Sequence, residues 1–241
     1  MIRLDKFLSQ MNIGTRSEVK NFIRKGKIMV NGVVCKNPDL KIDEDMDRVC
    51  YDGNEVVYEK YVYYVLNKPA GVVSATTDKK DKTVLDLIDS PKKDLFPVGR
   101  LDKDTEGLLL ITNDGQLAHE LLAPKKHVEK TYLAHITGCL PDDAKDRFEA
   151  GLKVDEEFTA MPAKLEILDN NDNNQGSVTR VLITIQEGKF HQVKRMVKAV
   201  GCEVVYLKRL KMGPLYLDES LNTGEYMVLS KEMVNCLKNM V

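Results

Sequence analysis

The chain has 241 residues, of which 43% are apolar and 30% are charged, a balance typical of globular proteins with one large domain or two smaller ones. No apolar run approaches the roughly 18–20 residues that cross a bilayer, and the amphipathic N-terminus has no apolar signal region. We therefore expect a cytoplasmic protein with no membrane partner. The five cysteines and four histidines lack the C-x-x-C and H-x-x-x-H spacings, so we expect no metal site and no disulfide framework.

The net charge of −1 averages over a segregated distribution. Residues 1–41 contain nine basic and three acidic residues, whereas residues 42–59 contain one basic and seven acidic residues. Residues 186–212 are basic again, with seven basic and two acidic residues. Because separated basic patches are typical of proteins that bind polyanions, this pattern predicts a nucleic-acid-binding surface that the net charge does not indicate.

Residues 1–58 have the pattern of a small, separate domain. Helical spacing of apolar residues predicts a helix over 4–11, and the capping-box sequence of 15–18 predicts a second helix that ends at Gly26. Asn31-Gly32, between two apolar triplets, predicts a hairpin. This order resembles the αL-type RNA-binding domain first described in a ribosomal small-subunit protein.

That resemblance implies RNA binding by residues 1–58. An ordinary solvated basic helix face is the alternative interpretation. The candidate contacts are seven of the basic residues of the segment: Arg3, Lys6, Arg16, Lys20, Arg24, Lys25 and Lys27.

A change of pattern near Glu59-Lys60 predicts a second domain over residues 59–241. Its predicted elements are, in chain order, a strand over 61–66, a turn at 67–71, a helix over 117–122, and strands over 130–136 and 178–186. The polar run 169–176 predicts an exposed loop. Because strands and helices mix without regular βαβ alternation, the sequence favours an α+β fold with a mostly antiparallel mixed sheet flanked by helices.

The segment Gly99–Leu109 contains three acidic residues in a glycine-bounded turn that leads into an apolar strand. Asp102, close to Arg100, has the neighbours of a buried carboxylate that a guanidinium keeps ionised. Asp104 is the competing candidate, although it is equally suited to cap the turn, and an Asn-Asp-Gly turn explains Asp114. The pattern indicates a catalytic acid, base or nucleophile.

Two later segments contain residues suited to RNA. Strand alternation over 129–133 places Lys130 and Tyr132 on one face, where the tyrosine suits core packing and base stacking equally. The segment 187–196 predicts a strand-to-helix turn rich in amides and cations, which suits a phosphate. A hydrogen bond at the helix start explains its histidine more simply than catalysis does. Its candidate RNA contacts are His191, Gln192, Lys194 and Arg195.

Together, the motif Gly-Arg-Leu-Asp-x-x-Thr-x-Gly-Leu-Leu at 99–109, the strand tyrosine, the basic turn at 187–196 and the turn at 66–73 are similar to the RsuA/RluB/RluE/RluF family of ribosomal RNA pseudouridine synthases. The resemblance extends to about Met227. It implies an isomerase that flips a uridine out, breaks the bond between ribose and base, turns the base and rejoins it through a ring carbon. It also implies that no cofactor or metal is needed.

The resemblance implies roles for individual residues. Asp102 is the essential carboxylate, as a nucleophile on the ribose or as a base that gives a glycal, and Tyr132 stacks on the uracil. Arg100 holds the flipped nucleotide, and Lys189 orients Asp102, although many relatives have an arginine there, whose bidentate fork lysine lacks. Lys68 and Lys130 complete the candidate RNA contacts.

Phe190-His191 is more similar to the RsuA branch, which modifies small-subunit rRNA, than to the large-subunit enzymes, which tend to have Asn-Arg there. The resemblance therefore implies 16S rRNA, at position 516, as the substrate of a monomer; 23S rRNA is the sibling alternative. Alternatives from other classes are a non-catalytic RNA-binding assembly factor and an Asp-dependent glycosidase. The glycosidase needs a second facing carboxylate, and no motif supports Asp104 or Glu106 in that role.

Overall fold

The computed structural model describes residues 1–44, 46–57, 60–90, 92, 94–173 and 176–240. The chain divides into two compact units, unit 1 with Met1–Val62 and Asp89–Asp94, and unit 2 with Tyr63–Ile88 and Leu95–Val241. The predicted boundary between residues 58 and 59 lies outside the described residues and stays a prediction. In the described part of the chain, no helix is long and apolar enough to cross a membrane.

Unit 1 contains two helices and two small antiparallel sheets around an apolar core. Its elements are β1 (Ile2–Arg3), α1 (Leu4–Gln10), α2 (Arg16–Arg24), β2 (Ile28–Val30), β3 (Val33–Val34), β4 (Lys41–Ile42), β5 (Val49–Tyr51) and β6 (Asn54–Glu55). β1 pairs with β4, and the other sheet has the order β3-β2-β5-β6. The buried core residues are Leu4, Phe7, Leu8, Val19, Ile23, Ile28, Ile42 and Val49.

Local sequence signals account for the backbone of unit 1. The predicted capping box is confirmed: the Glu18 amide donates to the Thr15 hydroxyl, and the Glu18 carboxylate accepts from the Thr15 amide at 2.8 Å. The predicted hairpin is confirmed as well, with positive φ angles of 52° at Asn31 and 81° at Gly32. The Asn31 side chain also donates to Asp47 at 2.8 Å, so it ties the turn to a neighbouring loop.

Unit 2 is built on one nine-stranded sheet. Its elements are β7 (Tyr63–Lys68), β8 (Phe96–Pro97), β9 (Glu106–Thr112), α3 (Gly115–Leu122), β10 (Lys130–Thr137), α4 (Ala144–Ala150), β11 (Lys164–Asn173), β12 (Gly176–Ile185), α5 (Gln192–Ala199), β13 (Glu203–Met212), β14 (Leu215–Tyr216), β15 (Tyr226–Val228) and α6 (Lys231–Met240). The order is β11-β12-β10-β13-β9-β7-β15, with β14 beside β13 and β8 beside β9. The β9–β13 pair is parallel and the other described pairs are antiparallel. The predicted α+β fold with a mostly antiparallel mixed sheet is confirmed.

The parallel contact between β9 and β13 requires a glycine. Gly107 lies opposite Arg209, and a Cβ atom on Gly107 would stand 2.2 Å from the Arg209 carbonyl oxygen. The Arg209 side chain crosses the same contact, because its Nε donates to the Leu108 carbonyl at 2.7 Å. Since β9 begins directly after the turn that carries Asp102, this contact fixes one end of that turn.

Two predicted elements differ from the structure. The expected loop over 169–176 is wrong: β11 runs to Asn173 and β12 starts at Gly176, with residues 174 and 175 outside the described residues. An antiparallel ladder satisfies the backbone whatever the side chains are, so a polar run does not exclude strand. The strand predicted over 61–66 occupies 63–68 instead, because its pairing with β9 extends to Lys68.

Candidate active site

Neighbouring segments of unit 2 hold the turn that carries Asp102. The Ser74 hydroxyl donates to the Leu101 carbonyl at 2.9 Å and accepts from the Leu101 amide at 3.1 Å. The Thr105 amide donates to the Asp102 carbonyl at 3.1 Å, which closes the turn. The backbone on both sides of Asp102 is therefore fixed by bonds that do not use its carboxylate.

Lys68 holds the backbone of the same turn from inside the fold. Its side chain is fully buried, and its ammonium donates to the carbonyls of Pro69, Lys103 and Thr105 at 3.0, 3.3 and 2.8 Å. Burial lowers the pKa of Lys68 to about 8, against the opposing attraction of the three acidic side chains of the motif. The prediction that Lys68 contacts RNA is corrected, because its ammonium is enclosed by carbonyl groups and not open to a phosphate.

The cation beside Asp102 is Lys194, in the first turn of α5. Its ammonium lies 3.1 Å from the Asp102 carboxylate and 2.6 Å from that of Asp104. Burial opposes the charge on Lys194, but its hydrogen bonds to the two carboxylates outweigh burial and raise its pKa. The hydrogen bond from Lys194 holds the pKa of Asp104 below its usual range. The site thus contains two carboxylates that share one ammonium.

The two cations predicted to act on Asp102 line the same cavity but form no ion pair with it among the described residues. Both of them, Arg100 and Lys189, are exposed. Lys189 precedes α5, whereas Lys194 lies inside it on the side that faces the turn. The contact with Asp102 expected of Lys189 is formed by Lys194 instead. The sequence did contain a signal for such a cation. Asp102 and Asp104 are two residues apart, and two neighbouring carboxylates need a positive partner.

The predicted strand alternation places Lys130 and Tyr132 together on a buried face of β10. Tyr132 is 7% exposed and lines a cavity of about 60 Å³ with Asp102 and Lys194. Lys130 is also buried, donates to the Val128 carbonyl at 2.8 Å, and has its pKa lowered to about 8 by burial and by the charge of Arg209. Lys130 also lines a larger neighbouring cavity, so its RNA contact stays a prediction, and Tyr132 lines the same cavity as the Asp102 carboxylate.

The buried Gln192 side chain stabilises the strand-to-helix turn through two hydrogen bonds. Its amide nitrogen donates to Glu187 at 2.9 Å, and its amide oxygen accepts from the Lys189 backbone at 3.0 Å. The Glu187 carboxylate also accepts from the Met161 amide at 2.9 Å. Gln192 is 4% exposed, so the prediction that it contacts RNA is corrected: both ends of its side chain are used within the fold.

Arg195 is also occupied, because it forms an ion pair with Asp155 and stands 5.0 Å from the centre of the Phe158 ring. These contacts hold the 155–158 loop, and the RNA contact of Arg195 stays a prediction. His191 begins α5 with a left-handed φ of 49° and makes no side-chain cap, contrary to expectation. Its Nε2 lies 3.5 Å from the Asp102 carboxylate, and its ring stacks on Phe190.

In unit 1, the predicted RNA contacts fall into two sets. Three form ion pairs: Arg3 with Asp5 and Asp39, Lys20 with Asp5 at 3.8 Å, and Lys27 with Asp52 at 2.8 Å. The other four are exposed and have no ion pair within the described ranges: Lys6, Arg16, Arg24 and Lys25. The second set is the part of the predicted surface that is open to a polyanion. Among the described residues, no group of three or more His, Cys, Asp or Glu side chains is placed to hold a metal ion.

Two families match the chain in separate segments. Residues 2–49 match the S4 domain, and residues 62–199 match RNA pseudouridylate synthase. The second match spans more than half of the chain and includes Asp102, Tyr132 and Lys194 of the site. The chain belongs to the RNA pseudouridine synthase family.

Relatives of the synthase match it over nearly its whole length. It is 39% identical to ribosomal small subunit pseudouridine synthase A of Escherichia coli K12, over 97% of this chain and 98% of that protein. It is 38% identical to ribosomal large subunit pseudouridine synthase B of Bacillus subtilis 168, over 99% and 96%. A crystal structure of a pseudouridylate synthase matches with a TM-score of 0.67 and 38% identity, over 98% of this chain and 100% of that one. The predicted family, with its RNA-binding domain and isomerase activity, is confirmed.

Proposed function

We propose that the synthase isomerises a uridine of 16S rRNA to pseudouridine with Asp102 as the essential carboxylate. The observation that supports this most strongly is the pairing of Asp102 with Lys194 at 3.1 Å in the wall of the cavity that Tyr132 lines. A carboxylate and an aromatic ring around one small cavity are what a reaction on a single extruded nucleoside needs.

The reaction conserves atoms and electrons. The bond between the ribose anomeric carbon and the uracil nitrogen breaks, the base turns, and the same ribose carbon bonds to carbon-5 of the ring. The carbon-5 hydrogen leaves as a proton, and the freed ring nitrogen takes one up. Asp102 attacks the ribose as a nucleophile or acts as a base that gives a glycal, and Lys194 holds the carboxylate in place with a counter-charge.

Extraction of the uridine from its stack costs a few kcal/mol. Stacking of the base on Tyr132 offsets part of this cost, at about 1–3 kcal/mol per base. Contacts from the exposed cations Arg100 and Lys189 to the flanking phosphates supply the rest. The four open cations of unit 1 anchor the RNA elsewhere along the strand, and we expect the synthase to act as a monomer.

The choice of 16S rRNA depends on Phe190-His191, which the family resemblance assigns to the small-subunit branch. The identities of 39% to a small-subunit enzyme and 38% to a large-subunit enzyme favour neither substrate. Mapping of pseudouridines in rRNA from cells that lack the gene tests the choice. We expect one pseudouridine to disappear from 16S rRNA; its disappearance from 23S rRNA would establish the alternative substrate.

Release of tritium from RNA labelled at carbon-5 of uridine tests the role of Asp102. We expect Asp102→Asn to reduce the rate at least about 10²-fold, because the substitution removes the charged oxygen at constant size. Asp104→Asn is the matched control, since it changes the other partner of Lys194, and it should retain most of the rate. Full activity of Asp102→Asn, or a larger loss in Asp104→Asn, would show that the assignment is wrong.

A further inference from the structure

A second cavity adjoins the one that contains Asp102 and Tyr132, and of the cations proposed to bind RNA above, it is lined by Arg100 and Lys189. Its volume is about 620 Å³, within the range of about 300–1,000 Å³ typical of ligand sites. The two cavities share six wall residues: Arg100, Leu101, Asp102, Gly188, Lys189 and His191. We call the larger one the outer cavity. The shared wall makes the two cavities direct neighbours on the surface of unit 2.

The wall of the outer cavity includes an aromatic ring that the fold does not bury. Phe190 is 76% exposed, although an apolar ring of that size is normally covered. Its ring stacks on His191 with centroids 3.8 Å apart and planes 18° from parallel. The Arg195 guanidinium also donates to the Phe190 carbonyl at 3.3 Å. The ring is therefore supported by a neighbouring ring while most of its surface stays open to solvent.

The charges around the outer cavity suit a phosphodiester. Arg100 and Lys189 are exposed on its wall and have no ion pair in the described part of the chain. Of the two acidic side chains on the wall, Asp102 is paired with Lys194, and Glu187 accepts hydrogen bonds from Gln192 and the Met161 amide. An open aromatic ring and two unpaired cations on the wall of one cavity match a base and its phosphate.

We propose that the outer cavity is a subsite for the nucleotide next to the target uridine in the same RNA strand. The base of that nucleotide stacks on Phe190, and its phosphate contacts Arg100 and Lys189. The proposal rests on the proposed function, because an RNA strand that places a uridine beside Asp102 is what brings a neighbour to Phe190.

Three variants test the subsite with a short fragment of 16S rRNA that contains the target uridine. We expect Phe190→Ala to lower kcat/KM for tritium release by about 5- to 150-fold, the effect of losing one base–aromatic stack. Phe190→Tyr keeps the ring, so it should lose much less kcat/KM than Phe190→Ala. Tyr216→Ala is the matched control: this aromatic residue is 67% exposed, lines neither cavity and should leave kcat/KM unchanged.

A substrate that lacks the neighbouring base separates stacking from a structural effect. On fragments with an abasic nucleotide on either side of the uridine, wild type should lose activity on one side only, and Phe190→Ala should lose nothing further there. If Phe190→Ala equals wild type on the intact fragment, or if its defect persists on both abasic fragments, the subsite is wrong. Failure of wild type to release tritium from either 16S or 23S fragments would instead overturn the proposed function.

Discussion

The substitution Gly107→Ala adds a single methyl group, yet we expect it to reduce the stability of unit 2 severely. The new Cβ would stand 2.2 Å from the Arg209 carbonyl oxygen and 2.8 Å from its backbone nitrogen, against ordinary contacts of 3.4 Å or more. These two atoms belong to the backbone of β13, so a change of side-chain rotamer cannot remove the clash. Gly107 also has a φ of +99°, which side chains rarely adopt.

The size of this stability loss follows from the contacts between β9 and β13 that the added methyl group would break. Moving the strands apart by about 1 Å breaks the hydrogen bonds of the β9–β13 contact, each with a net value of about 1 kcal/mol. It also lengthens the bond from Arg209 to the Leu108 carbonyl, a charged donor whose bond has a value of about 1.5–3 kcal/mol. We therefore expect a loss of about 3–5 kcal/mol in the free energy of unfolding. At about 2–4 °C per kcal/mol, the midpoint falls by about 10 °C.

Gly115→Ala is the matched control for this prediction. Gly115 is the first residue of α3 and has an ordinary φ, and no atom lies within 4 Å of the position that an alanine methyl group would take. Alanine there should leave stability unchanged or raise it by about 0.5–1 kcal/mol. Calorimetry of the full chain measures both variants. A Gly107→Ala transition within two or three degrees (roughly 1 kcal/mol) of wild type would refute the argument that the strand contact depends on the missing Cβ.

Three further predictions concern charge. Lys194→Met leaves Asp102 without its counter-charge, so kcat for tritium release should fall about 10²-fold while RNA affinity changes little. NMR should show the pKa of Asp104 rising towards its ordinary value. An unchanged kcat would contradict the proposed role of Lys194. The pKa of Lys130 is about 8 in the fold and about 10.4 when unfolded, so the unfolded chain binds more protons between these values and stability should rise with pH across that range. Urea titrations should show a smaller rise for Lys130→Met, and equal rises would disprove the link. RNA affinity should fall at least about tenfold between 50 and 200 mM salt, because the open cations of unit 1 displace counterions; constant affinity would argue against phosphate contacts.

The fold of unit 1 could be predicted because its signals are local. The capping box of 15–18 and the Asn31-Gly32 turn each act within a few residues, so they have the same meaning in any context. The parallel contact between β9 and β13 gave no such signal, since Glu106 and Lys208 are about a hundred residues apart. The strand that approaches Gly107 depends on the order of the whole sheet.

The site could be predicted in part for the same reason. The motif around Asp102 and the strand position of Tyr132 are properties of single segments, and the structure brings both to one cavity. The partner of Asp102 depends on how α5 is rotated against the turn, so Lys194 could not be distinguished from Lys189 in advance. Lys68 was predicted as an RNA contact from the family resemblance, and its ammonium instead donates to three carbonyl groups from two segments.

Lys68 and Lys194 both support Asp102, but they act on different parts of it. Lys68 holds the backbone carbonyls after Asp102, whereas Lys194 contacts only the carboxylate, and Ser74 fixes Leu101 independently of both. Lys194→Met should therefore reduce activity with a nearly unchanged melting midpoint.

Lys68→Met leaves three buried carbonyls without a donor, at about 1–3 kcal/mol each before relaxation, so it should lower both the midpoint and the activity. Calorimetry and tritium release on the same two variants distinguish the roles. If both lose activity with equal losses of stability, the turn and the carboxylate are not held separately, and Lys194 is a structural ion pair.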